Sequence, residues 1–194
     1  MKVCGLTGGV GMGKSTAAEF LRARDARLVD TDELARQLVE PGQPALAEIR
    51  AEFGGRVIAP DGRLQRDELA RIVFADAAAR QKLEAILHPR IRAGWLAQVE
   101  AWRREDCVLA VVVIPLLFET RAESQFAKII CVACSAATQD ERLRARGWTP
   151  EQIRQRIAAQ LPVEQKISRA DFVIWTDGAL DNHAKQIERV VAGL

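Results

Sequence analysis

Eight residues near the start of the chain have the types and the spacing of a phosphate-binding loop. Residues 8–15 read GGVGMGKS, which fits the pattern G-x-x-x-x-G-K-[ST]. An apolar run, Val3–Thr7, precedes the loop, and a helical pattern, Thr16–Arg22, follows it. The glycines let the backbone wrap closely around phosphate oxygens, Lys14 can reach the β- and γ-phosphates, and the Ser15 hydroxyl can ligate Mg²⁺. The motif therefore predicts a site for a nucleoside triphosphate and Mg²⁺.

Two carboxylates follow the next apolar run and could serve a reaction at this site. Asp30 ends the run 27–30, and Asp32 stands two residues further on. Ligands of parallel sheets bind beyond the carboxyl ends of the strands, so we expect both acids beside the loop. One of them could accept the proton of an attacking hydroxyl or orient Mg²⁺ through water. Either could instead cap the helix that follows, and this alternative stays open.

Residues 142–169 are strongly basic. They carry seven basic and two acidic side chains, a net charge of +5, which leaves −3 on the rest of a chain whose formal net charge is +2. A solvated pair of helices could have the same composition. Beside a phosphate-binding loop, however, arginines on a closing lid would stabilise the charge of a transferring phosphoryl group and exclude water. We call residues 141–169 the basic lid.

Five short apolar runs predict the strands that must position these residues. Several are apolar on both faces, as buried parallel strands are, and helical patterns alternate with them. The runs are Val3–Thr7, Arg27–Asp30, Cys107–Ile114, Lys128–Cys134 and Phe172–Trp175. Helical patterns alone fill residues 33–104, where His88-Pro89 is expected to separate two helices.

The predicted fold is a single α/β domain with a five-stranded parallel sheet flanked by helices, as in P-loop nucleoside triphosphatases. Its core would comprise residues 1–32, 105–140 and 170–194. A helical insertion of about residues 33–104 would follow the second strand, and the basic lid would close over the phosphates.

Composition excludes several other classes of protein. Of the 194 residues, 48% are hydrophobic and 28% charged, as in ordinary globular proteins, and a net charge of +2 is too small for a protein that coats nucleic acid. The longest apolar run, 107–118, is too short to cross a bilayer, and the first residues do not resemble a signal peptide. We therefore expect a cytoplasmic protein without nucleic-acid or membrane partners. A monomer or a weak homo-oligomer is expected as well, although composition does not determine the oligomeric state.

Cys131 and Cys134 form a C-x-x-C pair. They lie in a run of strand character, 128–134, whose period of two directs positions three apart to opposite faces. No second cysteine pair or histidine pair completes a metal site. The sequence favours reduced cysteines of the core.

A longer ordered set of motifs resembles the dephospho-CoA kinase family over nearly the whole chain. The set comprises GLTGGVG (5–11) with GKST (13–16), Asp30-Thr31-Asp32 with Ala35-Arg36, Asp61-Gly62 with Leu64 and Arg66, Leu87-His88-Pro89 with Ile91, PLLFE (115–119), Arg142 with Arg146, Gln160 with Lys166, and Ala170-Asp171. Two positions depart from the residues that are usual in this family. Met12 stands in place of Ser, and Thr176 stands in place of Asn beside the expected adenine site.

The resemblance implies transfer of the γ-phosphoryl group of ATP to the ribose 3′-hydroxyl of dephospho-CoA, the last step of coenzyme A synthesis. It implies that Asp32 accepts the hydroxyl proton, that Lys14, Arg142 and Arg146 form a cationic clamp, and that Ser15 ligates Mg²⁺. The residues it implies for ATP are Thr7, Gly8, Gly9, Gly11, Met12, Gly13, Lys14, Ser15 and Thr16. It also implies that the helical insertion, about residues 33–104, binds the acceptor. The residues it implies for the acceptor are Asp32, Arg66, His88, Pro115 and Leu116.

Two other functions stay open on the residues alone. A nucleoside or nucleoside monophosphate kinase would share the loop, the lid and the type of reaction. A nucleotide-sensing protein would bind ATP without chemistry, and the paired acids Asp30 and Asp32 argue against it, because a sensor has little use for a base. A GTPase is excluded, since the chain has no N-K-x-D motif to recognise guanine.

Overall fold

The chain folds into two compact units, and the computed structural model describes all of its residues, Met1–Leu194. The larger unit comprises Met1–Asp30 and Ala101–Leu194, and the smaller one comprises Thr31–Glu100. None of the helices combines the length and the apolar character that spanning a membrane requires.

The larger unit contains a five-stranded sheet. The strands are β1 (Lys2–Gly8), β2 (Arg27–Asp30), β3 (Leu109–Val113), β4 (Lys128–Ala133) and β5 (Phe172–Trp175). Their order is β2-β3-β1-β4-β5, and every neighbouring pair is parallel. The predicted five-stranded parallel sheet is confirmed. Strand β3 lies inside the sheet with every residue buried, which is why its sequence is a continuous apolar run.

Nine helices accompany the strands. They are α1 (Lys14–Arg22), α2 (Thr31–Gln37), α3 (Pro44–Phe53), α4 (Arg66–Ala75), α5 (Ala77–Arg104), α6 (Ala136–Ala145), α7 (Pro150–Ala158), α8 (Val163–Arg169) and α9 (Leu180–Gly193). Helices α1 and α9 bury Leu21 and Ile187 in one core cluster with strand residues such as Leu6 and Val111. Leu180, which shares the apolar face of the last helix by its spacing, is its first residue and stays 64% exposed.

The smaller unit has a hydrophobic core of its own. Val39, Leu46, Ile49, Val57 and Leu69 are buried together. Partly buried side chains of α4 and α5 pack against them and complete the cluster. The helical patterns of this part of the sequence are therefore apolar faces turned toward a local core.

Helix α5 continues through Pro89, so the predicted break between two helices is wrong. Proline lacks the N–H that would bond to the carbonyl one turn earlier, and its ring crowds that carbonyl. A side chain forms a hydrogen bond to a carbonyl near the proline: Arg90 Nη1 donates to the oxygen of Ile86 at 2.6 Å. Ile86 packs on the core before the proline, and Trp95 and Val99 are buried after it. Packing on both sides thus holds the helix together across the proline.

Candidate active site

The loop between β1 and α1 has a backbone that only glycine adopts readily. Gly11 and Gly13 have φ angles of 75° and 93°. A Cβ at Gly11 would also lie 2.9 Å from the Leu143 side chain, which leaves no space for any other residue. Gly13 is the N-cap of α1 and supplies no side-chain cap, so the first N–H groups of the helix can bind an anion.

Lys14 extends over this loop. Its Nζ donates to the carbonyl oxygens of Gly8 and Gly9, each at 2.8 Å. Thr7, the residue before the loop, is buried, and its Oγ1 donates to the carbonyl oxygen of Pro115 at 3.2 Å. The structure thus brings Lys14 together with two glycines that were predicted to bind ATP. It also brings Thr7 together with Pro115, which was predicted to bind the substrate that accepts the phosphoryl group.

The two positions that depart from the usual family residues meet in the structure. The Oγ1 of Thr176 donates to the carbonyl oxygen of Met12 at 3.0 Å. The Met12 side chain is buried with Ala133 and Cys134, and Val163 of α8 packs against this group. Met12 therefore directs its side chain into the core, and its carbonyl holds the turn that follows β5.

Two glutamines hold the peptide groups on either side of Val10, at the tip of the loop. Gln139 Nε2 in α6 donates to the Val10 carbonyl at 2.7 Å, and the Val10 N–H donates to Gln160 Oε1 at 2.9 Å. Gln139 is 6% exposed, although a helix in the basic part of the chain would be expected to expose a glutamine. Sequence reasoning missed Gln139, and no local signal marks it, because its partner lies 129 residues away.

Arg142 and Arg146 lie one helical turn apart and differ in their contacts. Arg142 Nη1 donates to Thr176 Oγ1 at 2.9 Å, and its Nη2 donates to the Thr176 carbonyl at 2.7 Å. Arg146 is the C-cap of α6 and is exposed. Four other lid arginines have partners: Arg144 with Asp140, Arg154 with Glu151, Arg156 with the Trp148 ring, and Arg169 with Glu123. Arg146 is the lid arginine that makes no such contact.

The turn after β5 is tied to the turn after β4. Both carboxylate oxygens of Asp177 accept from the Ser135 N–H, at 3.1 and 3.2 Å, and Trp175 Nε1 donates to Oδ2 at 3.1 Å. Burial acts to raise the pKa of Asp177, but the hydrogen bonds from Thr138 and Ser135 outweigh it, and the pKa lies below its usual value. The turn that carries Thr176 is therefore held in place on both sides.

The C-x-x-C pair is buried and unoxidised. Cys131 and Cys134 are free thiols of the core. Burial raises the pKa of Cys131 to about 11, and it raises the pKa of Cys134 as well. Burial therefore disfavours the thiolate that redox chemistry or metal binding requires.

The remaining predicted site residues are distributed as follows. Ser15 is exposed in the first turn of α1, and Leu116 is 37% exposed after β3. Asp32 is the second residue of α2, two residues after β2 ends at Asp30, and it is exposed. Arg66 and His88 belong to the smaller unit and are exposed.

Comparison with known proteins identifies relatives along the whole chain. The family model described as dephospho-CoA kinase matches residues 2–182. A protein named dephospho-CoA kinase from Anaeromyxobacter dehalogenans is 45% identical over 100% of this chain and 92% of its own length. One of the same name from Bdellovibrio bacteriovorus is 41% identical over 100% and 96%. The crystal structure of TT1252 from Thermus thermophilus has 34% identity and a TM-score of 0.86, covering 100% of this chain and 97% of that one.

Proposed function

The chain belongs to the dephospho-CoA kinase family and is an ATP-dependent kinase, and we propose that it transfers the γ-phosphoryl group of ATP to the ribose 3′-hydroxyl of dephospho-CoA. The observation that carries the nucleotide side of this proposal is the phosphate cradle at the end of β1, and the match to the dephospho-CoA kinase family supports the acceptor. There Lys14 spans the carbonyls of Gly8 and Gly9, and Gly13 opens the first turn of α1 toward an anion.

We propose that ATP binds with its phosphates on residues 7–16. The loop N–H groups would hold the phosphate oxygens, and Lys14 would leave the loop carbonyls to contact the β- and γ-phosphates. Ser15 is exposed at the start of α1, and its hydroxyl suits Mg²⁺, which prefers oxygen ligands. The chain has no cluster of three His, Cys, Asp or Glu residues that could hold a metal alone, so Mg²⁺ would take its other ligands from phosphates and water. When bound, Mg²⁺ would neutralise charge on the phosphates.

We propose Asp32 as the general base for the 3′-hydroxyl. An acid at the carboxyl end of a parallel strand is placed where such sheets bind ligands, and Asp32 follows the end of β2 by two residues. Its exposed carboxylate can accept a proton from an alcohol as the oxygen attacks the γ-phosphorus. Asp30 is the alternative, at the end of the same strand.

We propose that Arg142 and Arg146 have different roles in stabilising the charge of the transferring phosphoryl group. Arg146 has no partner to give up, so it can bind the transferring phosphoryl group as the lid closes. Arg142 is bonded twice to Thr176, and it adds positive charge while it holds the turn after β5. Dephospho-CoA itself would contact Arg66, His88, Pro115 and Leu116.

The test of this function is a comparison of acceptors by ADP release. The purified chain with ATP and Mg²⁺ is given dephospho-CoA, nucleosides or nucleoside monophosphates, and turnover is measured above the rate of ATP hydrolysis. We expect turnover with dephospho-CoA and only background with the others. Turnover with a nucleoside or nucleotide alone would make the chain a kinase of that class, and nucleotide binding without any turnover would make it a sensor.

We further propose that the chain acts in the cytoplasm, as a monomer or weak homo-oligomer, on small molecules alone. Its four cysteines are free thiols, which fits a reducing compartment. The formal net charge of +2 gives no strong field for nucleic acid or membrane surfaces.

A further inference from the structure

Lys166 has an unusual position for a lysine. It lies in α8, in the basic lid, and none of its surface is exposed to solvent. Lysine is almost never fully buried unless it is paired. Its Nζ donates to the carbonyl oxygen of Pro115 at 2.9 Å and pairs with Glu119 Oε1 at 2.8 Å. A cation of the lid is therefore anchored inside the protein, at the end of β3.

Glu119 connects this lysine to the start of its own helix. The same Oε1 accepts from the N–H of Leu161 at 2.8 Å, while Oε2 is buried and accepts no hydrogen bond. Gln160, the residue before Leu161, accepts from the Val10 N–H of the phosphate-binding loop. Residues 160–166 are thus attached to the loop, to Glu119 and to Pro115.

Stability alone does not account for a lysine at this position. Replacing a buried ion pair by apolar residues of similar volume is often neutral or stabilising, because desolvation offsets the attraction. What the pair supplies is a fixed geometry, since the ammonium group bonds to two acceptors from different parts of one turn. The Pro115 oxygen also accepts from Thr7, so Lys166 lies where β1 and β3 both end.

We propose that Lys166 is a positioning residue that couples nucleotide binding on the loop to acceptor binding at Pro115 and Leu116. The inference rests on the proposed acceptor role of these two residues. A nucleotide on the loop favours the arrangement in which the Val10 N–H is bonded to Gln160. Leu161, the next residue, bonds to Glu119, and Lys166 holds Glu119 and Pro115 in that same arrangement. The contacts run without a gap from Val10 to Pro115, and coupling between the two binding sites would be reciprocal.

The test compares Lys166→Met with the double variant Lys166→Met/Glu119→Gln. The single variant leaves the Glu119 carboxylate buried beside a side chain without charge, so it is expected to lose stability. The double variant removes both charges and is expected to regain an unfolding midpoint close to that of the wild type. The two variants therefore separate the effect on stability from the effect on position.

The measured quantity is the Kd of dephospho-CoA with and without a nonhydrolysable ATP analogue and Mg²⁺. For the wild type we expect the analogue to change this Kd by about fivefold or more, the scale of ordinary coupling. In the double variant the ratio of the Kd values for dephospho-CoA without and with the analogue is expected to lie within about twofold of unity. The Kd of the analogue alone should change little. Lys128→Met, which removes an exposed ion pair with Asp171, is the matched control and should keep the wild-type ratio.

Each other outcome overturns the inference. A double variant that regains both the stability and the wild-type ratio would make Lys166 a structural residue only. A wild type that turns over dephospho-CoA but shows no coupling would refute the inference and leave the proposed function intact, whereas absence of turnover would refute the function. If the double variant does not fold, Glu119→Gln decides. Its amide oxygen can still accept from Leu161, but the ion pair that fixes Lys166 is lost, so the ratio is expected to fall, and an unchanged ratio would overturn the inference.

Discussion

The backbone of the phosphate-binding loop is held by side chains distant in the sequence. Gln139 and Gln160 bond to the two sides of Val10, and Thr176 bonds to Met12. These contacts place protein on the outer side of the loop, and within the loop the Met12 N–H donates to the Gly9 carbonyl at 3.3 Å. A cradle fixed in advance in this way loses little conformational entropy when phosphate binds.

Asp32→Asn is the prediction for the proposed base. Asparagine keeps the size of the side chain but cannot accept the hydroxyl proton, so we expect kcat to fall at least about a hundredfold with an unchanged Kd for ATP. Stopped or coupled assays of ADP release and a binding isotherm measure the two quantities. Asp30→Asn, two residues away at the end of β2, is the matched control, and a larger loss there would assign the base to Asp30.

The lid arginines allow a contrast between two variants of one helix. Arg146→Ala is expected to lower kcat about a hundredfold, as loss of one donor to the transition state does, with an unchanged unfolding midpoint. Arg142→Ala removes both bonds to Thr176 and should raise KM for ATP and lower the midpoint. Arg144→Ala loses only an exposed pair with Asp140 and serves as the control. Equal effects of the first two variants would contradict this division of roles.

At the scale of elements, α5 shows how packing overrides a local signal. A proline preceded by histidine ordinarily marks a helix end. In this chain the residues on both sides of Pro89 are anchored, Ile86 on the core cluster of the smaller unit and Trp95 by burial. The free energy of that burial exceeds the cost of the missing backbone hydrogen bond, which is about 3 kcal/mol in a helix interior.

Pro89→Ala tests this balance in the same helix. Alanine restores the N–H and removes the ring from the preceding turn, and it also frees the unfolded chain, so we expect a net gain of about 1–2 kcal/mol in the free energy of unfolding. Gly94→Ala is the control for helix propensity, because a Cβ there would make only ordinary contact with Leu34, at 3.5 Å, and should add about 1 kcal/mol. Chemical denaturation measures the free energy of unfolding of both variants. If Pro89→Ala were less stable than the wild type while Gly94→Ala were more stable, the packing would require the proline.

At the scale of the whole molecule, the small net charge hides an uneven distribution. The stretch 142–169 carries +5 and the rest of the chain −3. Most of the lid arginines are paired with acids or stacked on rings, so the charge available to a ligand is smaller than the count. Arg146 is the lid arginine left without such a partner, and we propose that it is available to the phosphates of the substrates.

The sequence by itself determined the sheet and the phosphate-binding loop. Both depend on neighbours in the chain: strands apolar on both faces predict a parallel sheet, and the glycine spacing predicts the loop. The bounds of β2 and β5 agree with the prediction. Strand β1 is one residue longer at each end, β3 is two residues shorter at its start and one at its end, and β4 is one residue shorter at its end.

Only the tertiary structure decided which side chains hold that loop and which remain available. The burial of Lys166, the glutamines on Val10, and the difference between Arg142 and Arg146 all depend on partners tens to more than a hundred residues away. A basic or amide side chain has the same local appearance whether it faces solvent or a buried carbonyl, because the free energy that decides between them comes from the partner.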